Sequence, residues 1–313
     1  MTLAKLLISL KLLTAAPVIA LVSYFLLFTP MSAKAQDDDV LRIDSDLVVL
    51  NVTVTDKSGR YVPGLKLKDF KVFEDGKEVE LSLITTFSVH EAPFASVVLL
   101  DTSGSMENRL TIARSAAIRF LDGLRQEDVA AVYKFDYKVE AVQDFSTGRD
   151  LAPMAFGIRA RGMTTLNDAV VEAARALADR PEHRKAIVIL SDGMDTYSKA
   201  TSGKALDNAL AIGASIYAVD MSATDGGISR NPQTAMVLKN FAERTGGRFI
   251  ATPGGPGLRD EFANIAEELG HQYTITFKPV NKHKDGKWRT LEVKLAGDWN
   301  ARTRKGYRAA KSK

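Results

Sequence analysis

The stretch Val97-Val98-Leu99-Leu100-Asp101-Thr102-Ser103-Gly104-Ser105-Met106 governs the reading of this chain. Four consecutive large apolar residues end on an aspartate, and two serines follow at alternate positions with a glycine between them. An uninterrupted apolar run is the mark of a strand covered on both faces, as in a parallel sheet. Soon after, Ala113, Ala117, Phe120, Leu121 and Leu124 share one face of a helical period over Leu110–Leu124. This order of strand, turn and helix places a carboxylate and two hydroxyls at the carboxyl end of a buried strand. All three are oxygen donors suited to a hard cation. The competing reading makes Ser103 or Ser105 a simple N-cap for a helix starting near Met106.

Outward from this stretch, apolar runs alternate with helical periods. The runs are Val129–Phe135, Ala186–Leu190, Ser215–Val219 and Arg248–Ala251; the helical periods are Leu166–Ala178, Gln233–Arg244 and Leu258–Leu269. Such alternation predicts an α/β fold, a doubly wound and mostly parallel sheet with helices on both faces. Val139–Asp144 follows Phe135 too closely for a crossover helix and predicts an antiparallel edge strand.

On either side the period changes to two. Val48, Leu50, Val52 and Val54 alternate with Asn51, Thr53 and Thr55, which predicts a half-buried strand, and Asp75-Gly76 signals a hairpin. Near the other end Tyr273, Ile275 and Phe277 alternate, then Leu291, Val293 and Leu295. Each flank is small for a core of its own. The two are therefore expected to pack together as a small β-sandwich-like module with the α/β domain inserted between them. The expected layout is an N-terminal targeting segment (1–35), a linker (36–45), an N-terminal β segment (46–92), the α/β domain (93–270) and a C-terminal β segment with a basic tail (271–313).

The 313 residues are 45% hydrophobic, enough for one large or two modest cores. Cysteine is absent, which excludes disulfides, thiolate zinc sites, a cysteine nucleophile and a lipidated cysteine. The net charge of +4 is unevenly spread: residues 1–35 carry +3, residues 278–313 carry +9, and the stretch between them about −8. The charges of the basic tail alternate with Val, Leu, Trp and Tyr, so they predict a solvated strand face rather than a nucleic-acid surface. At the N-terminus, Lys5 and Lys11 precede the uncharged, mostly apolar Ala15–Phe28, and Ala33-Lys-Ala35 follows. That is the pattern of a secretory signal with cleavage after Ala35. The apolar run is short for a spanning helix, which needs about 20 residues. An uncleaved segment anchoring the chain in the inner membrane is the alternative. Both place the protein outside the cytoplasm, periplasmic or secreted, with no nucleic-acid partner.

Three predicted strand ends carry oxygen donors: Asp101-x-Ser103-x-Ser105, the loop Arg161-Gly-Met-Thr164-Thr165-Leu-Asn-Asp168 before a helix, and Leu190-Ser-Asp192-Gly-Met-Asp195. Sites in open parallel sheets form at such ends. This ordered set resembles the von Willebrand factor type A domain and its metal-ion-dependent adhesion site, a Rossmann-like fold. The resemblance runs over roughly Phe94 to Leu269. It implies that Asp101, Ser103, Ser105, Thr164 and Asp192 hold the metal, with the hydroxyls of Ser103, Ser105 and Thr164 binding directly and the two aspartates acting mainly through water. Met163 stands where many bacterial relatives have glycine, and Thr165 is the alternative to Thr164 as a ligand. Asp168 and Asp195 are either additional ligands or caps and loop charges. A second resemblance, to secreted bacterial proteins in which such a domain sits between β segments, rests on Asn51-Val-Thr-Val-Thr-Asp-Lys-Ser-Gly59, Asp69-Phe-Lys-Val-Phe-Glu-Asp-Gly76 and Arg304-Lys-Gly-Tyr307.

Mg²⁺ takes about six oxygens and keeps waters where it can. Neutral hydroxyl ligands leave the ion much of its charge, so Mg²⁺ (or Mn²⁺) held this way seeks an outside anion. The expected function is cation-dependent binding of a protein partner that presents an Asp or Glu carboxylate. The alternative is a scaffold or assembly protein acting through its β module, with the α/β domain as a metal-stabilised spacer. An enzyme is not expected. Ser103 lies in no G-x-S-x-G elbow, no H-E-x-x-H occurs, and the position two residues after Asp101, where a phosphatase would carry a second aspartate, is Ser103.

Overall fold

The structure, a computed structural model, describes residues 47–89, 92–149, 158–192, 194–222, 231–251 and 256–311. The segments read as a signal and linker lie outside these residues. Among the described residues no helix is long and apolar enough to cross a membrane.

The N-terminal flank forms β1 (Val48–Thr55), β2 (Phe70–Glu74), the two-residue β3 (Lys77–Glu78) and β4 (Ile84–Ser88). Asp75 and Gly76 both have positive φ, 49° and 78°, the backbone that a two-residue hairpin turn needs to match strand twist. The α/β part then runs β5 (Phe94–Asp101), α1 (Leu110–Asp122), β6 (Val129–Phe135), β7 (Val139–Ser146), α2 (Leu166–Ala178), β8 (Arg184–Ser191), α3 (Ser202–Ala211), β9 (Ala214–Asp220), α4 (Pro232–Thr245), β10 (Phe249–Ala251) and α5 (Pro256–Gly270). The chain ends with β11 (Tyr273–Phe277), β12 (Trp288–Leu295), β13 (Asn300–Arg302) and β14 (Gly306–Arg308).

The six-stranded sheet has the order β10-β9-β8-β5-β6-β7. All its pairs are parallel except β6 with β7, which is antiparallel at the edge as the short connection predicts. All eight residues of β5 and all eight of β8 are buried, because helices cover both faces. Ala113, Phe120 and Leu121 of α1 pack with Leu258, Phe262 and Ile265 of α5 on one face. The other face carries α2, α3 and α4 through Val170, Ala174, Ala205, Ala209, Leu238 and Phe241. The short helix α3 is absent from the helices that periodicity picks out. Its buried stripe of Ala205, Leu206, Ala209 and Leu210 is half alanine, a weak hydrophobic signal, and Thr201 caps it by accepting from the Lys204 amide at 3.2 Å.

The two flanks interleave. One four-stranded sheet has the order β13-β1-β11-β4 and the other β14-β12-β2-β3, so each mixes N- and C-terminal strands. Val52 pairs with Tyr273 and Val72 with Val293 in antiparallel register. Leu50, Val52, Phe70 and Val72 share one core with Tyr273, Ile275, Phe277 and Leu291.

Two expectations about these flanks change. β1 is buried on both faces rather than half-buried: Asn51 and Thr53 are 7% and 3% exposed. Thr53 Oγ1 donates to Glu268 Oε1 of α5 at 3.2 Å, so the α/β part covers the face that water would otherwise wet. The basic tail is a solvated face in its lysines, which are exposed, but not in its central arginines. Arg289 and Arg304 are 3% and 7% exposed. Arg302 Nη1 donates to the Gly246 carbonyl at 2.8 Å and Arg304 Nη1 to the Leu210 carbonyl at 3.2 Å, at the carboxyl ends of α4 and α3. Cations are favoured there by the unpaired carbonyls and the helix dipole.

Candidate metal centre

The carboxyl ends of β5 and β8 lie side by side, since Leu100 is in register with Leu190. Asp101 closes β5 fully buried. Its Oδ1 accepts from the Ser103 amide at 2.8 Å and its Oδ2 from the Ser191 hydroxyl at 2.5 Å. Burial pushes its carboxyl up to about 6, against these hydrogen bonds, which pull it down, and the nearby Asp192 charge raises it further. Among the described residues no Lys or Arg forms an ion pair with it.

Ser103, Gly104, Ser105 and Met106 then make a single 3-10 turn, and α1 begins only at Leu110. Neither serine hydroxyl caps a helix amide. Instead Ser103 Oγ and Ser105 Oγ lie 3.1 Å apart, and Ser105 Oγ donates to Asp192 Oδ1 at 2.6 Å. The N-cap reading is therefore replaced: the hydroxyls turn toward the neighbouring strand end. Gly104 does not have the left-handed backbone that a tight glycine turn suggests. That requirement sits across the loop at Gly162, whose φ is +79° and where a Cβ would press to 3.3 Å from Tyr137 Cδ1. The Gly104 amide donates to the Gly162 carbonyl at 3.2 Å, which ties the serine turn to the threonine loop.

That loop is anchored from the other side. The Thr164 amide donates to Thr196 Oγ1 at 3.1 Å, and the Thr164 carbonyl accepts from the amides of Thr196 and Tyr197. Thr164 is 4% exposed. Its hydroxyl makes no hydrogen bond to Ser103, Ser105 or Asp192. Thr165, the N-cap of α2, leaves Oγ1 buried without a partner. Asp195 and Asp168 are taken up by the loop. Asp195 Oδ2 accepts from the Asn167 amide at 2.7 Å and from Ser198 Oγ at 2.6 Å, and Asp168 accepts from the amides of Lys199 and Ala200. Both act as caps and loop ties.

Sequence reasoning misses two participants. Ser191, the last residue of β8, holds Asp101 from the next strand. Arg109 Nη1 donates to Asp192 Oδ2 at 2.5 Å, and the Asp192 side chain is 2% exposed. Its place three residues beyond Met106 is the one signal the sequence offers: a cation one turn after the serines.

These residues fit a small hard cation by their donor chemistry. Neighbouring ligands of an octahedral ion with Mg–O bonds of about 2.1 Å lie about 3.0 Å apart. The Ser103–Ser105 separation, 3.1 Å, is close to that edge. Two carboxylates gather here against one guanidinium, with Asp101 buried and without a cationic partner. Among the described residues no group of three or more His, Cys, Asp or Glu side chains could hold a metal ion, so a site here depends on hydroxyls.

The α/β sheet with its strand-end oxygens defines a class, and sequence comparison agrees. Residues 96–194 match the model of the von Willebrand factor type A domain, a span that holds all five candidate ligands. This part of the chain has the von Willebrand factor type A fold. An uncharacterized protein of Synechocystis sp. is 31% identical over 109 residues, which are 32% of this chain and 25% of that protein. Among solved structures, the von Willebrand factor type A protein of Catenulispora acidiphila is 16% identical, over 71% of this chain and 67% of that one, with a TM-score of 0.48. The vWF domain of the type V pili tip protein Mfa5 from Porphyromonas gingivalis is 14% identical, over 57% and 95%, with a TM-score of 0.49. The PilB minor pilin of Streptococcus sanguinis is 14% identical, over 57% and 61%, with a TM-score of 0.47.

Proposed function

We propose that the α/β domain is an exported, divalent-cation-dependent protein-binding module. Ser103, Ser105 and Thr164 would hold Mg²⁺ or Mn²⁺ directly, and Asp101 and Asp192 would act behind them through water. A cation held mainly by neutral oxygens supplies an open position for an outside anion, and an Asp or Glu carboxylate of a partner protein would fill it.

One observation carries this reading. The hydroxyls of Ser103 and Ser105 lie against each other instead of capping the helix they precede, and Ser105 donates to Asp192. Asp101 holds the turn from behind through the Ser103 amide, and Ser191 fixes the other oxygen of Asp101. Ser105 and Gly104 remain exposed, so a partner can reach the Ser105 hydroxyl. Export is supported by the charge and hydropathy pattern of the first 35 residues.

The test is a titration of the protein with Mg²⁺ and Mn²⁺, beside Asp101→Ala. The melting temperature and capture of partner proteins are followed with and without chelator. Both observables are expected to rise with cation in the natural chain and not in the variant. A chain in which no cation moves either observable refutes the reading.

A further inference from the structure

Among the described residues seven large apolar side chains stand exposed, and four of them ring the candidate metal centre. Tyr137, 45% exposed, lies in the turn between β6 and β7 and touches Gly162, which the Gly104 amide holds. Met163, 51% exposed, precedes Thr164. Met194 and Tyr197, 44% and 57% exposed, lie in the loop after β8, and the Tyr197 amide is bound to the Thr164 carbonyl. These positions come from three separate loops. The hydrogen bonds that shape the serine turn and the threonine loop also fix where they stand. Single exposed apolar residues are ordinary on a protein surface; a cluster around a polar opening marks an interaction surface.

On the cation reading, the polar centre of this ring would take negative charge. Arg109 is paired with Asp192 there, and the exposed Arg161 belongs to the threonine loop, which its amide ties to the Thr102 carbonyl. Methionine adapts to differently shaped apolar partners, and tyrosine offers a large, stiff contact with a polar tip.

We infer that the apolar ring selects the partner: this site takes a protein segment whose Asp or Glu is flanked within two positions by large apolar side chains. The inference rests on the cation reading above and deepens it. The carboxylate enters the centre opened by Ser105, and its neighbours cover Met163, Met194 and Tyr197, excluding water from the polar contact. Burying such anchors around a polar contact is what concentrates binding energy at the centre of an interface.

The experiment pans a random twelve-residue phage peptide library on the immobilised full chain in Mg²⁺ and elutes with EDTA. The natural chain is compared with a variant combining Met163→Ser, Met194→Ser and Tyr197→Ser. Expected are EDTA-eluted peptides with Asp or Glu beside Leu, Phe, Met or Trp, bound at least about tenfold more weakly by the variant. The variant's Mg²⁺ affinity and melting temperature should stay at the natural values. Acidic peptides with polar neighbours, or equal binding by the variant, overturn the inference and leave the cation reading intact. Peptides lost in the variant yet not released by EDTA overturn both. Self-association of the natural chain in sedimentation, lost in the variant, identifies a second copy as the occupant and also overturns the inference. A library with no enrichment over the variant counts against it as well.

Discussion

Arg109 is an internal cation for Asp192: its Nη1 lies 2.5 Å from Asp192 Oδ2, inside the oxygen cluster proposed to hold a divalent ion. A guanidinium at this distance opposes a second positive charge, because Coulomb repulsion in a partly buried site reaches several kcal/mol. Arg109→Gln is expected to bind Mg²⁺ about tenfold more tightly by calorimetry. The same variant leaves Asp192 without its cationic partner, so its cation-free melting temperature falls. Mg²⁺ should therefore raise the melting temperature further in Arg109→Gln than in the natural chain.

Asp101→Asn separates the fold from the cation response. An amide keeps an oxygen for the Ser103 N–H and offers its nitrogen to the Ser191 hydroxyl, and it removes a charge from a fully buried position. In EDTA the variant is expected to melt no lower than the natural chain. Addition of Mg²⁺ should no longer shift it, as differential scanning fluorimetry would record.

Thr164 and Thr165 are told apart by parallel alanine variants. Thr164 is proposed as the direct ligand, so Thr164→Ala should lower Mn²⁺ affinity by at least about tenfold. Thr165 Oγ1 has no hydrogen-bond partner, so Thr165→Ala should cost little stability and leave Mn²⁺ affinity within about twofold. The reverse order in a Mn²⁺ paramagnetic titration would make Thr165 the ligand.

Glu268 of α5 joins the α/β part to the β module. Its Oε1 accepts from the Tyr217 hydroxyl at 2.6 Å, from Thr53 Oγ1 and from Arg302, and its Oε2 pairs with Arg248 Nε at 3.1 Å. The carboxylate is 1% exposed. Glu268→Ala strands donors from β1, β9, β13 and the residue before β10, Thr53 and Tyr217 among them buried, at a cost of about 3 kcal/mol or more in urea unfolding. Glu268→Gln, which keeps two polar atoms, should cost less.

The interleaved flanks predict that neither is stable alone. Deleting residues 271–313 removes the central partner of β1 and the partner that joins β2 to its sheet. Limited proteolysis of that truncated chain should cut within residues 47–89 faster than in the full chain. Resistance of this stretch would show that it forms a core without the C-terminal strands.

Much of the α/β part was legible because its signals are local. The apolar runs of β5 and β8 and the stripes of α1, α2 and α5 follow from period alone, and the loop from β6 to β7 was too short to be anything but a hairpin. The alanine-rich α3 escaped because its burial owes more to close packing than to hydrophobic content. The half-buried reading of β1 failed at Asn51 and Thr53 because the surface that covers them belongs to α5 and the C-terminal strands. The tail arginines looked solvated because their acceptors, the carbonyls of Leu210 and Gly246, lie far away along the chain.

At the candidate site the division is sharper. The sequence by itself determined which oxygens stand at which strand ends, since a strand-turn-helix order puts Asp101, Ser103 and Ser105 on one rim whatever surrounds them. Where those oxygens point was decided only by the tertiary structure. The Ser105 hydroxyl donates to Asp192, which the pairing of two parallel strands brings to it just beyond the end of β8. The placement of Arg109 on that same carboxylate and the gathering of Tyr137, Met163, Met194 and Tyr197 around it depend on the same long-range contacts, which no local pattern encodes.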